Sequence, residues 1–199
     1  DHLVQFYQCE AYLAGTVSEF LVEGLKAGEA CIALSSAEHI SMIEKILATS
    51  LDLNALAAAG RWITVEMDDA ETWLCVDGKP MAAALRSKIE PMLAAAHRAG
   101  VKTRIFEEIV AVLSEKCMLD ESFELEQIWN SIKAEHDFTL FCSYSKDALH
   151  NCDAHDYPAL VSGEHSQIVP DETYSNADTG TKRLRKMAFL ELRNAELQA

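Results

Sequence analysis

Short apolar runs alternate along the chain with longer segments in which hydrophobic residues recur every three or four positions. The short runs predict strands at 2–7, 30–34, 62–67, 101–106 and 138–144. The longer segments predict helices at 11–25, from 35–36 to 47, and at 81–99, 107–116 and 121–135. Alternating strands and helices are typical of βαβ units. The pattern therefore predicts an α/β fold with a central, mostly parallel sheet and helices on both faces.

The composition changes near the end of the chain. Residues 171–180 (DETYSNADTG) are polar and rich in turn formers, whereas the residues from 181 onward turn basic and favour helix. We therefore predict a domain at 1–172, a linker at 173–180 and a C-terminal signalling helix at 181–199. Because the chain begins inside a predicted strand, we expect it to be cut from a longer signalling protein.

Residues of this last helix fit the spacing of a short coiled coil. Met187, Leu190, Asn194 and Leu197 fall at a and d positions of a heptad pattern. A buried Asn at an a position fixes the register of a parallel dimer, so the pattern favours a homodimer. The pattern spans less than two heptads, and an amphipathic helix that packs on its own domain stays an equal alternative.

Charge and cysteine usage restrict the partners and the compartment. With 17 basic and 32 acidic residues the net charge is −15, which repels nucleic-acid phosphates and anionic membranes. We therefore predict neither nucleic-acid nor membrane binding. The chain has no apolar run long enough to span a membrane, and we expect residues 1–10 not to be a signal peptide, since they lack a basic region and an apolar stretch. Its six cysteines are scattered without a CxxC pair, which predicts reduced thiols in a cytoplasmic protein.

Several kinds of catalytic or metal chemistry lack their motifs. The strand at 30–34 leads into Ser-Ser-Ala-Glu-His, without the glycines and lysine of a phosphate loop, and the sequence contains neither GxGxxG nor GxSxG. A Cys142–His165 catalytic pair is disfavoured, since a cysteine in an apolar strand is usually inert packing. The segment 150–155 holds His, Cys and Asp side chains that could bind a metal but no zinc signature, which favours a polar loop. We predict no cofactor, no metal and no enzymatic activity.

Six motifs in one order carry a family resemblance. They are HLVQFY at 2–7, EGLKAGEACIAL at 23–34, RIFEEIVAVL at 104–113, LEQIWN at 125–130, LFCSYS at 140–145, and His165. In order and spacing they resemble the MEDS domain, the sensory domain of methanogen and methylotroph regulators such as DcmR, over roughly residues 2 to 172. The resemblance implies a RecA/KaiC-like fold that has lost its phosphate-binding loop. It also implies a place upstream of a histidine kinase or beside a DNA-binding domain.

One position departs from the pattern of that family, in which Gly-Glu follows the Phe of the fourth motif. Here Glu107 stands in place of the glycine, and Glu108 matches the glutamate. A glycine permits a positive φ or close backbone approach, so we expect this exchange to alter the ligand pocket. It also weakens any transfer of the ligand of DcmR to this chain.

These observations predict a cytoplasmic signal-input domain of a two-component histidine kinase or related regulator. A small organic ligand would bind at the carboxyl ends of the strands, where open α/β sheets place their sites. The predicted lining residues are Ser36, His39, Arg104, Glu108, Trp129, Cys142, Tyr144 and His165. Arg104 and Glu108 have an alternative role as structural ion-pair partners. For Glu108, a further alternative is a carboxylate that stabilises the start of a helix. The alternatives for the chain are a ligand-free protein-interaction module and a cryptic nucleotide-binding enzyme.

Overall fold

Strands and helices alternate along the chain in the computed structural model, which describes residues 1–67, 75–76, 79–80 and 82–172. The strands are β1 His2–Tyr7, β2 Ala30–Ser35, β3 Trp62–Glu66, β4 Cys75–Val76, β5 Lys79–Pro80, β6 Thr103–Glu107, β7 Phe138–Ser145 and β8 Gln167–Val169. The helices are α1 Glu10–Lys26, α2 Ala37–Leu47, α3 Leu53–Ala58, α4 Ala82–Arg98, α5 Ile109–Glu115, α6 Leu119–Glu135, α7 Lys146–Asn151 and α8 Tyr157–Glu164. The sequence pattern did not predict α3, α7, α8 or β8, which are all short.

Six strands form one sheet in the order β3-β2-β6-β7-β1-β8, and each pairing within it is parallel. Two further short strands, β4 and β5, pair antiparallel with each other. The prediction of an α/β fold with a central parallel sheet is confirmed. Because all strands of the main sheet run in the same direction, their carboxyl ends lie at one edge, where β2, β6 and β1 are followed directly by helices.

Two hydrophobic clusters cover the two faces of this sheet. Alternate residues of β2 point to opposite faces, so that Ile32 and Leu34 belong to the cluster that contains residues of α4, α5 and α6. Cys31 and Ala33 belong to the cluster that contains residues of α1 and α2. A strand with both faces covered is continuously apolar rather than alternating, which explains the run ACIALS.

A disulfide corrects the expectation that all cysteines are reduced. Cys117, in the turn after α5, is bonded to Cys152, directly after α7, with a Cα–Cα distance of 5.4 Å. The two residues are 35 positions apart in the sequence, and the packing of α5 against α7 brings them together. Among the described residues, Cys9, Cys31 and Cys142 are free thiols.

The chain divides into two units, Asp1–Val169 and Pro170–Ala199. The predicted linker at 173–180 and signalling helix at 181–199 lie outside the described residues. Within the described part, none of the helices combines the length and the apolar composition that a membrane span requires.

Candidate functional site

A cavity of about 240 Å³ opens at the carboxyl edge of the sheet. The ends of β1, β2, β3 and β6, the first turn of α2 and one side of α5 surround it. Its lining residues are Tyr7, Ser36, His39, Met67, Glu108, Ala111, Val112 and Glu115. The volume suits a small organic molecule, since it lies just below the usual range of sites for drug-sized ligands.

Local structure at the end of β2 directs two of these side chains into the cavity. Ser36 caps α2, its hydroxyl accepting a hydrogen bond from the backbone N–H of His39 at 3.2 Å. This cap starts the helix immediately beyond the strand and places His39 over the strand ends. Across the gap, the backbone N–H of Glu108 donates to the carbonyl of Leu34 at 3.0 Å, and the Ser35 hydroxyl donates to the Glu108 carboxylate.

His39 lies between two carboxylates. Its Nδ1 is 2.6 Å from Glu108 Oε1, and its Nε2 is 2.6 Å from Glu10 Oε2 in the first turn of α1. The hydrogen bond to Glu108 raises the pKa of His39 to about 9, because a ring N–H that donates a hydrogen bond to a carboxylate stabilises the charged imidazolium. At neutral pH His39 is therefore an imidazolium that joins the start of α1 to the end of β6.

The rest of the cavity is acidic and partly apolar. Burial and then Glu108 raise the pKa of the Tyr7 hydroxyl, so Tyr7 is a neutral hydrogen-bonding group. Partial burial, followed by Glu108 and Glu10, raises the pKa of Glu115 on α5. Three carboxyl groups therefore surround one imidazolium, and Met67, Ala111 and Val112 supply an apolar wall.

The structure brings three of the predicted site residues, Ser36, His39 and Glu108, to this cavity. Arg104 lies at the start of β6, toward the opposite edge of the sheet. Its guanidinium donates to Glu29 Oε2 at 2.6 Å and to the Phe20 carbonyl at 2.8 Å. Arg104 therefore has the structural role of an ion-pair partner between α1 and the sheet.

Trp129 is fully buried among core residues, edge-on to Phe138. Glu107, which stands in place of the family's glycine, is not among the residues that line the cavity. Glu107 does not have a positive φ. Among the described non-glycine residues, a positive φ occurs at Cys117 and Asp153.

The other predicted residues, Cys142, Tyr144 and His165, lie together in a second, buried cluster with His2 and Glu126. Tyr144 donates to Glu126 Oε1 at 2.7 Å. Burial, together with Glu107 and Glu126, raises the pKa of Cys142 well above its ordinary value. A protonated thiol is a poor nucleophile, so this geometry gives no support to a Cys142–His165 catalytic pair.

Sequence reasoning missed Tyr7, Glu10 and Glu115 at the cavity, and His2 and Glu126 in the buried cluster. The N-terminal motif HLVQFY contains His2 and Tyr7, yet its apolar pattern favoured core packing for both. Glu126 lies on α6 between apolar positions, and this pattern could have identified it from the sequence. A carboxylate on the buried face of a helix needs a partner.

Two further grooves and the segment 150–155 were also considered as sites. Grooves of about 540 Å³ between α2 and α3 and about 330 Å³ beside His136 contain none of the predicted site residues. The segment 150–155 carries exposed His155 paired with Asp153 at 2.8 Å, and its Cys152 is in the disulfide. Residues 150–151 end α7, and a turn follows them, so the predicted polar loop is confined to the residues after the helix.

Comparison with known proteins gave a family and a fold likeness. The sequence profile of a family described as "MEDS: MEthanogen/methylotroph, DcmR Sensory domain" matches residues 1–157. Among solved structures, the chain is similar to a KaiC-like protein from the hyperthermophilic archaeon Pyrococcus horikoshii OT3, with a TM-score of 0.49 and 12% identity. That match covers 72% of this chain and 60% of the other, so this chain spans less than two thirds of its length. Comparison with curated proteins found no match.

Proposed function

Because this chain belongs to the MEDS family of sensory domains, we propose that it is a signal-input domain that binds a small organic ligand in the cavity between His39, Glu108 and Glu115. The observation that carries the proposal is the acidic cavity itself. It lies where open α/β sheets bind ligands, and it combines converging polar groups with a shifted pKa at His39.

The charge of the cavity selects the class of ligand. Three carboxyl groups, Glu10, Glu108 and Glu115, outnumber the single imidazolium of His39. A small cation with a short apolar part would complement this arrangement, its charge beside the carboxylates and its carbon atoms against Met67 and Val112. We therefore propose a small organic amine rather than a carboxylate or a phosphate.

Such a ligand would compete with His39 for its carboxylate partners. Glu10 begins α1 and Glu108 precedes α5, so His39 links two helices through these carboxylates. A ligand that pairs with Glu108 would loosen this link and favour a different placement of α1. It shifts the equilibrium only through its differential affinity for the two arrangements.

Onward transmission belongs to the same proposal. The domain acts as a homodimer, and the segment 181–199 passes the change as a helix to a downstream output domain such as a histidine kinase. The domain itself catalyses no reaction in this proposal, since the end of β2 lacks a phosphate-binding loop.

The test is a thermal-shift screen of small amines, small carboxylates, neutral organics and nucleotides, followed by calorimetry of each compound that stabilises the chain. We expect amines to raise the melting temperature, because a ligand that binds the native state stabilises it. Glu115→Gln should weaken that binding at least about tenfold through loss of a charge partner. The matched control is Glu124→Gln, an exposed change on α6 that should leave the affinity unchanged.

The alternatives predict other results in the same screen. If no compound of any class raises the melting temperature at saturation, the small-ligand proposal is wrong and a ligand-free docking module takes its place. If ATP with magnesium binds tightly and turns over, and Glu108→Gln abolishes the turnover, the domain is an enzyme.

A further inference from the structure

Four side chains with metal-binding atoms meet inside the domain, away from the cavity described above. They are His2 at the start of β1, Glu126 on α6, Cys142 in β7 and His165 directly after α8. One ligand atom from each lies within 4.8 Å of all the others. Three of the four residues are buried, and the side chain of the fourth, His165, has no exposed surface.

The spacing of these atoms matches a tetrahedral metal site. His2 Nε2 is 3.3 Å from Cys142 Sγ and 3.3 Å from Glu126 Oε2. Glu126 is 3.7 Å from Cys142 Sγ through Oε2 and 3.5 Å from His165 Nε2 through Oε1. Zinc bonds of 2.0–2.3 Å at tetrahedral angles place neighbouring ligand atoms about 3.3–3.8 Å apart. The four separations lie in that range, and every pair of ligand atoms lies within 4.8 Å, so the cluster is compact enough to surround one ion.

Both imidazoles are held with Nε2 directed into the cluster. His2 Nδ1 donates to Asn130 Oδ1 at 2.9 Å, and the Asn130 amide group donates in turn to Glu164 Oε2 at 2.9 Å. His165 Nδ1 donates to the carbonyl of Val161 at 2.8 Å. A second partner that takes the other ring N–H is the usual arrangement of metal-binding histidines, because it fixes the tautomer and the ring orientation.

One of these nitrogens has nothing to bind. His165 Nε2 is buried and makes no hydrogen bond among the described residues, although its nearest carboxylate oxygen is 3.5 Å away. A buried polar atom without a partner costs free energy. A metal ion at the centre of the cluster would supply that partner.

We propose that His2, Glu126, Cys142 and His165 bind a divalent transition-metal ion of the zinc class. A thiolate and two imidazoles select such an ion over magnesium or calcium, which prefer oxygen ligands. The charges balance, since the ion offsets one carboxylate and one thiolate beside two neutral imidazoles. On binding, Cys142 forms the metal–sulfur bond and releases its thiol proton to solvent. The site would join β1, β7, α6 and the end of α8.

The experiment loads the chelator-treated 199-residue chain with Zn²⁺ or with Co²⁺, which reports on its ligands by its absorption spectrum. We expect one ion per chain, a higher melting temperature, and a Co²⁺ spectrum with tetrahedral d–d bands and a sulfur-to-metal charge-transfer band. Cys142→Ser should abolish the charge-transfer band, and His165→Ala should weaken binding at least about 100-fold, beyond the range found for outer-shell changes.

Matched controls separate this site from other thiols and histidines. Cys31→Ser changes another buried free cysteine, Cys9→Ser an exposed one, and His97→Ala an exposed histidine that belongs to no group of potential metal ligands among the described residues. All three should keep one ion and the charge-transfer band. The proposal is wrong if the wild-type chain takes up no ion, if its Co²⁺ spectrum lacks the sulfur band, or if folded Cys142→Ser and His165→Ala bind as tightly as wild type. The wild-type spectrum decides the question even if those two variants fail to fold.

Discussion

Glu107 and Glu108 are adjacent at the end of β6, yet their carboxylates lie in two different places. Glu108 bonds to His39 at the cavity on the carboxyl edge of the sheet. Glu107 is fully buried, accepts a hydrogen bond from the Ile109 N–H at 3.0 Å, and faces Cys142 and Glu126. Burial, followed by the charge of Glu126, raises the pKa of Glu107. The end of β6 therefore contributes to the cavity through one residue and to the buried cluster through the next.

The ion pairs of His39 make stability depend on pH. The pKa of His39 is raised to about 9 in the folded chain, against about 6.5 unfolded. Its contribution is therefore complete below about pH 6.5 and is lost as the pH rises through 9. The groups that face it are Glu10, Glu108 and Glu115, with Tyr7 nearby.

We expect the free energy of unfolding, measured by urea denaturation, to fall by roughly 1–2 kcal/mol between pH 6.5 and pH 9.5 relative to the variant His39→Gln, which lacks the titrating group. In Glu108→Gln, NMR titration should show a lower pKa for His39. Parallel pH profiles for wild type and His39→Gln would show that His39 carries no raised pKa.

The disulfide between Cys117 and Cys152 should stabilise the domain by restricting the unfolded chain. Closing a loop with a separation of 35 residues contributes up to about 4 kcal/mol in the loop-entropy description. Reductant should therefore lower the denaturation midpoint of the wild-type chain. The double variant Cys117→Ser/Cys152→Ser should match the reduced protein and show no response to reductant. Non-reducing peptide mapping that finds no peptide joining these cysteines would contradict the prediction.

Two glycines of α1 should respond in opposite ways to alanine. A methyl group at Gly15 meets no atom within 4 Å, whereas at Gly24 it meets Arg104 Cδ at 2.7 Å and Nε at 2.8 Å. Gly15→Ala should thus raise the free energy of unfolding by about 0.5–1 kcal/mol through helix propensity. Gly24→Ala should lower it, because Arg104 would have to leave its bonds to Glu29 and Phe20.

Thermal denaturation of the two glycine variants checks this difference. The change Arg104→Ala removes the obstructing side chain. The double variant Gly24→Ala/Arg104→Ala should therefore be at least as stable as Arg104→Ala alone. If Gly15→Ala and Gly24→Ala change the melting temperature equally, the side chain of Arg104 does not lie against Gly24.

The predicted signalling helix can be tested by truncation. If the segment 181–199 holds the homodimer together through its heptad positions, a chain ending at Pro170 should have a lower dimer fraction in light scattering at the same concentration. Asn194→Ala should change the association of the full chain, since a polar residue at an a position fixes register. An unchanged dimer after truncation would place the interface in the region 1–169.

The sequence by itself determined the class of fold and the edge that holds the cavity. Apolar runs such as ACIALS, fully buried on both faces, specify parallel strands between helices, because only that layer arrangement covers both faces. The same pattern placed Ser36, His39 and Glu108 just past strand ends, and all three line the cavity. These residues were predictable because a strand end and a helix cap are local features of the chain.

The tertiary structure decided which distant residues meet. Arg104 was predicted at the ligand site, yet it lies near the opposite edge of the sheet. The apolar pattern put the strand at 101–106, with Arg104 past its middle, whereas the observed strand is Thr103–Glu107, with Arg104 near its start. Cys117 and Cys152, like His2, Glu126, Cys142 and His165, come from elements far apart in sequence. Their contacts depend on strand order and helix packing, which set the distances between elements and leave no periodic trace in the sequence.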